Sequence, residues 1–179
     1  MEFLTLRTRL RRWRAEDRPA FFALNAEPEV RRHLPPLTRP ESDAMLDRID
    51  QHFAEHGWGA WAVEERASGQ LIGLCGLAHV RWEAPFTPAV EIAWRFTASR
   101  HGQGLAREAA EQVLDAGFGP LGLDRIVAFT VPANTASWGL MERLGMQRIG
   151  GFGHPRLEPE HPLHHHLLYE IRAGERRRG

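Results

Sequence analysis

Val90-Glu91-Ile92-Ala93-Trp94-Arg95-Phe96-Thr97-Ala98-Ser99-Arg100-His101-Gly102-Gln103-Gly104-Leu105-Ala106-Arg107-Glu108 is the stretch on which the fold turns. Val90, Ile92, Trp94 and Phe96 recur at alternate positions, which is a strand with an apolar face and Glu91 on the other face. Leu105, Ala109, Val113 and Ala116 then fall on one helical stripe. Gly102 and Gly104 sit at the switch between the two periods. A sharp strand-to-helix turn wants residues that tolerate positive φ, and the first amides of a helix have no internal acceptor. Such a helix mouth suits a phosphate or pyrophosphate.

Downstream, Ile126 to Val131 is apolar on both faces, as in a central strand, and Pro132 ends it. Asn134 is placed to cap a helix that runs to Leu144, with Gly145 as its left-handed stop. Gln147–Phe152 and Leu163–Ile171 read as a closing strand pair. Upstream, Leu4, Leu6 and Leu10 suggest a first strand that ends by Trp13. A helix bearing Phe21, Phe22 and Leu24 follows. Residues 27–36 interrupt it, and a second helix carries Met45, Leu46, Ile49 and Phe53 to a stop at Gly57. Strands over 58–65 and 71–80 form a hairpin in which Gly73 and Gly76 mark bulges or close packing. The expected fold is α+β, with a mixed, splayed sheet, helices on both faces and the order β-α-α-β-β-β-α-β-α-β-β. Residues 1–179 are expected to form a single domain.

The 179 residues carry 23 basic and 23 acidic side chains, a formal net charge of zero. That argues against a general nucleic-acid or membrane-surface binder. The basic run at 176–178 reads as a solvated tail. One cysteine, Cys75, rules out an intramolecular disulfide framework. No apolar run approaches the roughly 20 residues that span a bilayer, and the first residues do not resemble a signal peptide. A cytoplasmic location is the expectation.

Three segments in order, Glu91-Ile92-Ala93-Trp94, His101-Gly102-Gln103-Gly104-Leu105-Ala106 and Asn134-Thr135-Ala136-Ser137 with Glu142-Arg143-Leu144-Gly145, resemble the GNAT superfamily of acyl-CoA-dependent N-acetyltransferases. The likeness is greatest to the RimJ/RimL type, which acetylates ribosomal-protein N-termini. It implies acetyl-CoA as cosubstrate, no metal, and a pantetheine arm against the backbones of Arg95, Phe96 and Thr97. The diphosphate would lie on residues 101–106, where His101, Gly104 and Ala106 match the family's Gln/Arg-x-x-Gly-x-Gly/Ala; His101 departs from the usual first residue. Asn134 would hydrogen-bond the arm. Many members carry a tyrosine where this chain has Met141, which has no proton to give; Ser137 is the alternative donor to the departing thiolate.

The chemistry asks for a base near the amine, an oxyanion donor and an acid near sulfur. Glu91 is the candidate base, directly or through water; a salt-bridged or solvent-facing strand glutamate is its plainer role. Asn134 and Ser137 serve equally as a helix cap and its N3 partner. Histidines 154, 161 and 164–166 invite a metal, but adjacent strand residues point to opposite faces, so surface or partly buried roles are expected. Trp58, Trp61, Trp82 and Phe86 read as core, some lining an acceptor pocket. The expected acceptor is a primary amine, a protein N-terminus or a small molecule, attacked directly in a ternary complex. A non-catalytic acyl-CoA sensor or interaction module is the alternative. Oligomeric state is left open, with a homodimer among the states allowed.

Overall fold

The computed structural model describes residues 1–176; the remainder of the expected basic tail, from residue 177, lies outside the described residues. Among the described residues eight strands and five α-helices follow in order: β1 (Phe3–Leu4), β2 (Thr8–Arg11), α1 (Arg18–Ala26), α2 (Pro28–Arg31), α3 (Arg39–His56), β3 (Ala60–Glu65), β4 (Leu71–His79), β5 (Val90–Phe96), α4 (Leu105–Phe118), β6 (Arg125–Thr130), α5 (Thr135–Arg143), β7 (Gln147–Gly153) and β8 (His165–Arg172). The strands form a mixed sheet in the order β1-β2-β3-β4-β5-β6-β8-β7. Two details differ from the sequence reading. The first strand is split, because Thr5 caps the break by accepting from Thr8 N at 2.9 Å. The interruption at 27–36 contains the short helix α2, which starts at Pro28, a residue suited to a first helical turn. No helix among the described residues is long and apolar enough to cross a membrane.

Backbone contacts divide the chain into two compact units, residues 1–78 with 93–113, and residues 79–92 with 114–179. In the first, β2 pairs antiparallel with β3 and β3 with β4. The core joins Trp13, Phe21, Leu24, Leu46, Ala62 and Leu74. Helix α3 begins with a capping box, Thr38 accepting from Glu41 N while Glu41 accepts from Thr38 N, and ends on Gly57 at φ 77°. The hairpin glycines are close-packing points. A Cβ on Gly73 would lie 2.3 Å from the Arg95 carbonyl oxygen, and one on Gly76 would lie 2.3 Å from Ala60 Cα. The irregular step falls elsewhere, between Val63 and Glu64.

In the second unit, β6 pairs antiparallel with β8 along its length, and β8 with β7. A cluster of Phe86, Val127 and Leu168 gathers Trp82, Phe129 and Phe152 around it. The register of β5 on β6 is a single parallel pair among the described residues, Glu91 with Val127.

Candidate functional site

The strand-to-helix loop is held by its side chains and carbonyls, and this leaves its amides free. After a 3-10 turn at Ala98–Arg100, His101 N donates to Ala98 O at 3.1 Å. His101 Nε2 lies 2.9 Å from the Phe96 carbonyl oxygen. Arg7 Nη1 donates to Gln103 O at 2.8 Å and Arg7 Nε to Glu108 at 2.8 Å. Glu108 also accepts from Arg7 N and from Thr5 Oγ1. Gly102 and Gly104 take φ 73° and 77°, as a sharp turn requires. Residues 101–104 are exposed, and among the described residues the N–H groups of Gly102, Gln103 and Gly104 donate to no protein acceptor. Leu105 is buried at the head of α4, and Ala106 follows it, partly buried. A run of unpaired amides at a helix start, with no side chain on two of three residues, is a cradle for a diphosphate.

Strand β5 turns its backbone groups alternately to its two edges. Thr97 N donates to Ile72 O at 2.9 Å, and the Arg95 carbonyl faces Gly73. In an antiparallel ladder a residue directs its N–H and C=O to the same neighbour. Arg95 and Thr97 therefore turn their backbones to β4, whereas Trp94 and Phe96 turn theirs to the opposite edge. Phe96 O is already engaged by His101, and Thr97 Oγ1 donates to Glu27 at 2.6 Å.

Glu91 is partly buried. Burial raises its carboxyl to about 7, against a smaller lowering by the positive charge of Arg156. Ladder partners share a face, so Glu91 points to the side of Val127, which packs with Phe86 and Leu168. Trp82 meets Phe86 and Phe152, each at 5.5 Å between centroids, and Phe129 meets Phe152 at 5.5 Å. His154 stands 5.1 Å from Trp82 and 5.2 Å from His166. Burial holds both imidazoles below their ordinary range. Of the tryptophans singled out in the sequence, Trp82 joins this cluster. Trp61 is fully buried beside Phe53, and Trp58 packs on His52.

Asn134 caps α5: its Oδ1 accepts from Ser137 N at 3.4 Å, and its Nδ2 donates to Thr130 Oγ1 at 3.0 Å. Both ends of the amide are engaged within the protein. Ser137 enters that cap through its amide, and its hydroxyl has no hydrogen bond among the described residues. Met141 is buried. Cys75 is fully buried in β4, and burial raises its thiol far above the ordinary range.

The sequence reading did not bring Phe129, Phe152, His154 and His166 together around Trp82. Phe129 sits in a segment apolar on both faces. The other three meet through the β7–β8 register, Phe152 opposite His166, which a linear reading does not supply.

A family model described as an acetyltransferase (GNAT) domain matches residues 7–147. The chain is similar to the uncharacterised N-acetyltransferase YnaD of Bacillus subtilis (strain 168), 28% identical over 155 residues, 85% of this chain and 86% of that protein. Its fold is similar to that of the ribosomal-protein-S5-alanine acetyltransferase from Vibrio fischeri, with TM-score 0.75, 18% identity and coverage of 99% and 100%. It is also similar to that of Mycobacterium smegmatis RimJ in complex with CoA-disulfide, with TM-score 0.75, 23% identity and coverage of 94% and 83%.

Proposed function

Because the chain belongs to the acetyltransferase (GNAT) family, we propose that it moves acetyl from acetyl-CoA to a primary amine by direct attack in a ternary complex. The acceptor in this reading is a protein N-terminal α-amine, as in the RimJ/RimL type, or a small amine. The observation that carries it is the exposed loop at 102–104, whose unpaired amides match a diphosphate.

Glu91 takes the proton from the acceptor ammonium, directly or through water. Raised to about 7, its carboxylate is matched to an α-amine that titrates near ~8 and is poorly matched to a lysine near ~10.4. The freed amine attacks the thioester carbon; as the tetrahedral adduct collapses, the C–S bond breaks, the thiolate takes a proton from the Ser137 hydroxyl or from water, and the second proton released by the nitrogen replaces it there or passes to solvent. A covalent acyl-enzyme finds no support, since Cys75 is sealed in β4 and its thiol is held protonated.

The test has two steps. Acetyl-CoA should raise the melting temperature, and CoA thiol should appear when amines and N-terminal peptides are added. A stabilised protein that releases no thiol with any amine would favour a binding module; no stabilisation would remove the cofactor altogether.

A further inference from the structure

We propose that Arg95 is a receptor for a carboxylate carried by the amine acceptor, an inference that rests on the acetyl-transfer reading. Arg95 Nη1 donates to Asn25 Oδ1 on α1. Asn25 is itself buried and donates through Nδ2 to the buried Ser42 Oγ on α3 at 3.2 Å. The chain of partners is neutral from end to end. The other arginines of this unit that are not exposed hold carboxylates: Arg11 with Asp17 and Glu64, each at 2.7 Å, Arg18 with Asp47 at 2.6 Å, Arg100 with Glu65 at 3.0 Å and Arg9 with Glu2 at 2.9 Å. Arg95 has no carboxylate at ion-pair distance among the described residues. Burial lowers its pKa to about 10, with no acid to offset it.

A guanidinium has five donors in a planar fork. Asn25 engages one nitrogen and fixes the orientation of the group, leaving the rest of the fork for a planar oxyanion. The charge has to arrive with a ligand, because a desolvated cation without a counter-charge is costly. In this reading acetyl-CoA does not bring it: its diphosphate lies on the loop at 102–104, its 3′-phosphate sits on the ribose beyond that diphosphate, and the arm leading to the thioester is uncharged. The second reactant therefore supplies the carboxylate. Two sources share this chemistry, the α-carboxylate of a free amino acid and an acidic side chain near the amino end of a peptide.

The experiment measures CoA-thiol release at saturating acetyl-CoA with matched acceptors. One arm compares amino acids with their carboxamides. The other compares amino-terminal peptides carrying Asp or Glu early in the chain with the same peptides carrying Asn or Gln. The carboxylate member of one arm should show a KM about ten- to hundredfold lower, and the arm that discriminates identifies the source. Arg95→Gln should erase that preference while leaving KM for acetyl-CoA unchanged. Arg95→Lys, which keeps the charge without the fork, should restore part of it, and serves alone should Arg95→Gln fail to fold. Equal KM within every pair, or a preference that survives both substitutions, overturns the inference and leaves acetyl transfer standing. So does a protein that acetylates the carboxamide, Asn or Gln members but neither carboxylate series. Loss of acetyl-CoA stabilisation in the unaltered protein instead sinks the reading on which the inference rests.

Discussion

At the residue scale the proposed chemistry rests on two side chains, Glu91 and Ser137. A general base works in its ionised form, and Glu91 ionises near 7. Turnover should therefore climb about tenfold per pH unit below that point and level off above it. Glu91→Gln should lower kcat about a hundredfold and remove this acid limb; kcat against pH from 5 to 9 for both proteins would show it, and an unchanged profile would dismiss Glu91 as the base. Ser137 permits a cleaner separation. The helix cap uses its amide, not its hydroxyl, so Ser137→Ala should keep the melting temperature. If the hydroxyl protonates the thiolate, kcat should fall about tenfold or more. A wild-type kcat would hand that step to water. The sequence singled out both residues through their motifs. It gave no sight of the raised Glu91 carboxyl, which depends on burial in the folded chain and on the charge of Arg156, distant in sequence.

At the element scale the backbone decides. Gly104 sits at φ 77°, where a β-branched residue is strained. Gly104→Val should cost about 2 kcal/mol and abolish the acetyl-CoA melting shift, since its side chain also fills the cradle. Retention of that shift would move the diphosphate elsewhere. Gly73 is a packing case: its φ is ordinary, but a methyl would lie 2.3 Å from a backbone oxygen of β5. Gly73→Ala should lower the urea midpoint by an amount worth about 3 kcal/mol. The sequence made these elements readable because period and caps are local signals: the alternation of β5, Asn134 before α5, Thr38 and Gly57 around α3. The break after β1 and the helix at Pro28 depend on a threonine turn and a short proline-led coil, which carry no periodicity. Which edge each backbone group of β5 faces was also out of reach, because Arg95 and Phe96 face opposite edges in any strand and only the pairing with β4 says which.

At the scale of the whole molecule, two carboxyls should shape stability against pH in opposite directions. Asp17 is buried, which alone would raise its pKa. Its hydrogen bonds to Arg11 Nη1 and Nη2 and to Arg14 N, reinforced by the charge of Arg11, outweigh burial and hold it below the usual range. A depressed acid stabilises the fold above its unfolded pKa, and that contribution is lost as pH falls below about 4. Glu91 behaves inversely. Its folded pKa lies above the ordinary value of 4.5, so the folded state holds the proton more tightly. Stability should then be greatest near the ordinary value and decline as pH rises towards 7, by at most about 3 kcal/mol, and stay level beyond. Glu91→Gln removes only this second slope, so the variant should be the more stable protein above pH 7 even as it loses activity. Asp17→Asn leaves the Arg11 charge half-matched against Glu64 and should cost about 3 to 5 kcal/mol at neutral pH, a cost that shrinks in acid. Urea unfolding of the three proteins from pH 3 to 9 distinguishes the two limbs. If Glu91→Gln parallels the unaltered protein across that range, the carboxyl is not desolvated and its fitness as a base near neutrality goes with it.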